Sequence, residues 1–115
     1  MKNLTIYELA LLFALAEKFP VLYTHIEKLY VVERECTGMG QYIFFKYYDS
    51  DDILPISEGI LSVDRIITIE GLEVGLGFVG VVENSKLVNL ELFVYGSDDW
   101  DCVFKNFSLK NLNDL

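Results

Sequence analysis

Apolar residues follow a helical spacing at the start of the chain and an alternating one afterwards, a switch that divides it into a helical amino-terminal part and a β-rich remainder. Thr5 and Glu8 have the S/T-x-x-E spacing of a capping box, in which hydroxyl and carboxylate satisfy free amides of a starting helix. The pattern predicts a first helix over Ile6–Lys18, with Ile6, Leu9, Leu12, Phe13 and Ala16 turned to the core and Glu8 and Glu17 to water. Pro20 suits a first helical turn, and Leu22, Ile26 and Leu29 continue at i, i+4, i+7, which predicts a second short helix to about Leu29. From Val31 the period becomes two. Thr37-Gly38-Met39-Gly40 then supplies a turn into the aromatic strand Tyr42–Tyr48, and the pair reads as a hairpin.

Asp49–Gly59 is a loop by composition, with Asp49, Asp51, Asp52, Pro55 and Gly59. Ile60–Glu70, Leu76–Glu83 and Leu87–Tyr95 are three further strand candidates, divided by Gly71 and by Asn84-Ser85. Short connections imply antiparallel neighbours. The expected fold is therefore α+β: two amino-terminal helices packed on an antiparallel meander of about five strands, followed by a short irregular or helical carboxy-terminal segment. In that segment Ser97 is a candidate cap for a helical turn through Asp98, Asp99 and Asp101, with Val103, Phe104, Phe107 and Leu109 packing on the domain.

A length of 115 residues with 52% hydrophobic content suits one self-folding domain over 1–115. Lys2 and the run Leu9–Leu15 loosely imitate a secretory leader, but Glu8 interrupts the apolar stretch and a single positive charge precedes it. No apolar run approaches the roughly 18 residues of a membrane span.

Charge changes the picture most. Eighteen acidic residues face nine basic ones, for a net charge of −9. Residues 47–104 carry twelve of the acids against Arg65 and Lys86 alone, whereas the helical part is neutral. Such a field disfavours nucleic acid and anionic membrane as ligands and accelerates encounter with a basic partner. A solubilising surface is the plainer reading of the same charge.

Candidate chemistry adds little to this. Gly75-Leu76-Gly77-Phe78-Val79-Gly80 matches GxGxxG, yet a dinucleotide fingerprint joins a strand to a helix, and here β-patterned sequence continues on both sides. The glycines read instead as a strand that lets a helix or neighbouring backbone approach closely. Asp49-Ser50-Asp51-Asp52 fails the spacing of a calcium loop, with Ile53 and Leu54 where a donor and a glycine belong. His25 is the single histidine and reads as structural or surface, and no carboxylate pair stands out for acid–base work. Cys36 and Cys102 form no CxxC and read as reduced, buried thiols of a cytoplasmic protein. No cofactor, metal or catalytic residue is expected. The aromatic strand Tyr42, Phe44, Tyr47 and Tyr48 reads as core and sheet pairing, and Trp100 as either a core residue or a binding anchor ringed by carboxylates.

The runs Gly38-Met39-Gly40-Gln41-Tyr42-Ile43-Phe44-Phe45, Leu54-Pro55-Ile56-Ser57, Glu70-Gly71-Leu72-Glu73-Val74-Gly75-Leu76-Gly77-Phe78 and Leu90-Glu91-Leu92-Phe93-Val94-Tyr95-Gly96, closed by Asp99-Trp100, carry a resemblance. Over roughly residues 38–100 the chain resembles small acidic bacterial immunity proteins of contact-dependent inhibition and polymorphic toxin systems. The resemblance implies a cytoplasmic, non-catalytic protein that binds and blocks a cognate toxin, with no contact residue carried over. Nuclease toxins present basic clefts for phosphate, which an acidic surface can occupy. On that expectation Asp49, Asp51, Asp52 and Glu58 form one partner-binding element, and Asp98, Asp99, Trp100 and Asp101 another. A structural or homo-oligomeric module is the alternative.

Overall fold

The computed structural model describes residues 2–49 and 51–114. Two amino-terminal helices, α1 (Ile6–Lys18) and α2 (Leu22–Ile26), pack on an antiparallel sheet, and a short carboxy-terminal segment closes the chain. The strands are β1 (Leu29–Cys36), β2 (Gly40–Tyr47), β3 (Gly59–Ser62), β4 (Arg65–Thr68), β5 (Gly75–Glu83), β6 (Lys86–Tyr95) and β7 (Ser108–Asn111).

α1 starts where its capping box places it: Glu8 N–H donates to Thr5 Oγ1 at 3.1 Å, and Thr5 N–H donates to Glu8 Oε1 at 2.8 Å. Its buried stripe is rotated from the expected one. Leu11, Leu12 and Leu15 are buried together with Ala14, Ala16 and Glu8, whereas Ile6 is 74% exposed and Phe13 45%. The helix is apolar on most of its circumference, so periodicity alone does not fix which side faces the sheet. Glu8, expected to face water, lies on the buried side, where its carboxylate pairs with Arg34.

α2 stops before Leu29 because that residue is drawn into β1 opposite Tyr47. Among the described residues the sheet has seven strands in the order β1-β2-β6-β5-β4-β7, with β3 also on β5. It is thus two hairpins, β1–β2 and β5–β6, joined through β2 and β6, rather than strands laid down in sequence order. The stretch read as one strand, Ile60–Glu70, breaks at Val63-Asp64. Its first half pairs along Val79–Val82 of β5, and its second half contacts β5 at Leu76 and takes β7 as its other neighbour.

Both hairpin turns have local causes. Asn84 and Ser85 adopt positive φ of 51° and 60°, as a tight two-residue β5–β6 turn of right-handed twist requires. Gly38, at φ 85°, serves the β1–β2 turn. The core lies between the helices and the sheet, where Leu11, Leu12, Leu15 and Leu22 meet Ile43, Phe78, Leu90 and Leu92. At Gly80 a Cβ would stand 3.1 Å from Leu15 Cδ1, so the glycine lets α1 settle close to β5. Phe104 and Phe107 pack against Tyr7 of α1, fastening the carboxy-terminal segment to the helical side.

Candidate functional site

The Asp49–Gly59 loop is tied to the β5–β6 turn, because Leu54 N–H donates to Ser85 O at 2.7 Å and Ser85 N–H donates to Ser57 O at 2.9 Å. Asp49, Asp51 and Glu58 are exposed. Asp52 is engaged: its carboxylate lies 3.2 Å from Lys28 Nζ, and its carbonyl accepts from Lys86 Nζ. Beneath the loop sits His25, 1% exposed, with Nδ1 2.7 Å from the Tyr47 hydroxyl. That hydroxyl also accepts from Leu87 N–H at 2.9 Å, which leaves its own proton available to the ring nitrogen. Burial pushes the His25 pKa down, opposed by the Asp52 charge and a backbone hydrogen bond at Ile53 and reinforced by Lys86 and Lys28. Burial likewise pushes the Tyr47 phenol up. His25 therefore acts as a post under the loop.

The second acidic element is built differently from the expected capped helical turn, since residues 97–101 contain no helix. Asp98 accepts from Glu73 N–H at 2.8 Å, Asp101 accepts from Val103 N–H at 3.1 Å, and Asp99 is exposed. Short carboxylates that take up nearby backbone amides favour such turns over helix. Trp100 is 4% exposed. Its N–H donates to Gly38 O at 2.8 Å, its indole donates to Val103 O at 3.1 Å, and its ring meets Phe104 edge-on. Of the two roles open to this tryptophan, the folded chain uses the core one.

Two positions after Trp100 the expectation of reduced, buried thiols is overturned: Cys102 is joined to Cys36 in a disulfide, and Cys36 is exposed. The strand order brings the end of β1 beside the turn after β6, a proximity that spacing along the chain does not reveal.

The two acidic elements do not come together. The loop is bonded to the turn that begins β6, whereas Trp100 is bonded to the β1–β2 turn, beside the end of β6, where Gly40 pairs with Phe93. Nine residue steps of β6 separate those ends, about 30 Å at the usual strand rise. They are two acidic poles.

The glycines of the GxGxxG run lie within β5 and have packing causes. A Cβ on Gly75, which has φ 128°, would collide with Ile67 O, one on Gly77 with the Phe93 and Tyr95 rings, and one on Gly80 would crowd Leu15 and Leu87. Among the described residues no group of histidine, cysteine and carboxylate side chains could hold a metal ion. A shallow cleft of about 300 Å³ sets Cys102 beside Glu8 and Arg34, but there the sulfur is bonded to Cys36 and the carboxylate to Arg34.

The sequence reading placed Tyr42 and Phe44 in the core, and the structure moves them. Ile43 and Phe45 face the helices, whereas Tyr42 and Phe44 point from the opposite side of the sheet and stack on each other with ring centres 6.1 Å apart. Glu91, Phe93 and Tyr95 share that side, as do Glu33 and Glu35, in register with Phe44 and Tyr42. The alternation of buried Leu90 and Leu92 with Glu91 and Phe93 was a legible signal for this second face.

No family model, curated protein or solved structure matches the chain.

Proposed function

We propose that the chain is a non-catalytic binding domain that neutralises a basic protein, and that it serves as the immunity protein of a bacterial toxin, as its motifs imply. A nuclease-type toxin, whose cleft must be basic to hold phosphate, is the natural target. One observation carries the reading. Among the described residues Lys28, Arg34, Arg65 and Lys105 each pair with a carboxylate and Lys2, Lys18, Lys46 and Lys110 with none, whereas Glu33, Glu35, Glu73, Glu91, Asp98 and Asp99 pair with no cation, and eighteen acids against nine bases leave the balance negative. The surface therefore holds a negative field that a basic partner can discharge, which speeds association. The commitment of His25 to Tyr47 supports a binding rather than a chemical role.

The reading places the chain in the cytoplasm, where thiols are kept reduced. The fold then has to persist with the Cys36–Cys102 bridge open. Among the described residues no helix is long and apolar enough to cross a membrane.

The test is co-expression with the protein encoded by the adjacent reading frame, together with association rates measured over a range of salt. Rescue of growth and a rate that falls steeply with salt are expected. An adjacent product that is harmless, or a rate indifferent to salt, would remove the basis of the proposal.

The uncovered aromatic face of the sheet favours a second reading, a homo-oligomeric module that buries this face against its own copy. Sedimentation of the isolated chain separates the two: a monomer at micromolar concentration supports the first.

A further inference from the structure

We infer that the sheet face turned away from the helices is the docking surface, and that it receives an arginine-bearing protein surface across β1, β2, β6 and β5. The inference rests on the reading of the chain as a binder of a basic protein and replaces the two acidic poles as the centre of contact.

The face follows from the register. One row across the sheet runs Glu35, Tyr42, Glu91, Val79, and the next runs Glu33, Phe44, Asn89, Val81. Neighbouring strands lie about 4.8 Å apart, so each glutamate stands beside an aromatic ring. Phe93 and Tyr95 extend the surface and lie over Gly77, whose missing side chain gives their rings a floor. Ile60 on β3, 67% exposed, continues it beyond Val81. Both helices pack on the opposite side, and so does the carboxy-terminal segment, through Phe104 and Phe107 on Tyr7.

Charge selects the occupant. The two rows contain three glutamates and no cation; Arg34, between them, is turned to Glu8 on the helical side, and Lys46 lies beyond Phe44 opposite Tyr30. A second copy of the chain would bring the same two rows, with three glutamates and no cation to pair with them, and carboxylates buried without a partner are costly. A guanidinium satisfies both parts of the surface at once, since its plane stacks on tyrosine or phenylalanine while its edge donates two hydrogen bonds to a carboxylate. A broad sheet face lined by side chains of four strands suits a protein surface, whereas small ligands take concave sites. Four strands over about eight residues present roughly 500 Å². Standard interfaces bury about 800 Å² per partner, so side chains flanking the face complete the contact.

The experiment uses the full chain, isotope-labelled for amide NMR, and two synthetic probes: a peptide of alternating arginine and leucine, and its counterpart of alternating glutamate and leucine. Saturable binding of the arginine peptide alone, with shifts at Tyr42, Glu91 and Phe93, is expected. Glu35→Gln with Glu91→Gln should weaken it roughly tenfold, and Asp49→Asn with Asp51→Asn, an equal change of charge, by less than about threefold. Amide dispersion of each variant confirms that it is folded, and Glu33→Gln with Glu91→Gln stands in if the first pair is not. Shifts confined to 49–58 or 98–101, or equal weakening by both pairs, would overturn the docking surface and leave the basic-partner reading standing. Absence of saturable binding to the arginine peptide would overturn both. A dimer of the unliganded chain closing over Tyr42 and Phe93 would overturn the choice of occupant.

Discussion

Glu8 of α1 and Arg34 of β1 meet in a two-pronged ion pair, with Nε donating to Oε2 at 2.7 Å and Nη2 to Oε1 at 2.9 Å. The same guanidinium reaches Asn3 O at 3.0 Å, and the same carboxylate caps the helix at Thr5 N–H. Glu8 is 2% exposed, so a charge that would be costly to bury alone is held by hydrogen bonds on both oxygens. The pair fixes how far α1 is rotated about its axis over the sheet.

Removing one member strands the other. Arg34→Leu should lower stability by about 3 kcal/mol. Glu8→Leu should cost a comparable amount, because it also loses the cap. The double variant should cost less than the two single ones combined, with a coupling of about 1–3 kcal/mol. Urea unfolding at neutral pH measures all three. Additive costs would mean that the pair does not act as a unit.

His25 gives stability a pH dependence with a definite sign. Its pKa is depressed in the fold by burial, so the unfolded chain takes up the proton first. Stability from the neutral ring is complete above the unfolded pKa of about 6.5 and is lost as pH falls towards the lower folded value. The slope can reach at most about 1.4 kcal/mol per pH unit for one proton. His25→Gln should flatten unfolding free energies over the unit or so below pH 6.5, above the range in which ordinary carboxylates titrate. An unchanged slope in the variant would assign the effect elsewhere.

Local chemistry was what the sequence made legible. The Thr5 and Glu8 spacing placed α1 at Ile6–Lys18, and Asn84-Ser85 marked the β5–β6 turn, because both signals act over a few residues. Features set by distant partners escaped. Glu8 reads as solvated until Arg34, 26 positions later, is known to lie beside it. Cys36 meets Cys102 across 66 positions only once the strand order is known. The acidic excess was visible as a count, but its division between two poles and one sheet face depends on that same order. Tyr42 and Phe44 looked like core because aromatic strands usually are, and the alternation with Ile43 and Phe45 was the clue that only every second residue faces the helices.

The three glycines of β5 should differ in their tolerance of a methyl group. Gly75→Ala combines a backbone of φ 128° with a clash against the Ile67 carbonyl, and should be the most damaging. Gly77→Ala displaces the Phe93 and Tyr95 rings, which can swing outward, at a cost of about 1–2 kcal/mol. Gly80→Ala faces contacts of 3.1 Å with Leu15 and Leu87 methyl groups and should cost least. Thermal melts of the three variants rank them. A different order would show that ring placement or helix approach, rather than backbone strain, dominates along β5.

The disulfide bears on both stability and setting. It closes a loop of 66 positions, and the loss of chain entropy in the unfolded state corresponds to about 4 kcal/mol. Cys36→Ser with Cys102→Ser, and the unmodified chain in strong reductant, should therefore melt at the same lowered temperature. Trp100 is a built-in reporter, because it is buried two positions from Cys102 with its indole bonded to Val103 O. If the core contacts of Trp100 with Phe104 suffice to hold the segment, its emission stays native at 25 °C in both reduced forms, and a cytoplasmic role is physically open. If emission shifts to that of a solvated indole, the acidic turn at 98–101 depends on the bridge, and the functional protein belongs in an oxidising compartment. A melting temperature unmoved by reductant would show that the bridge adds nothing to the fold.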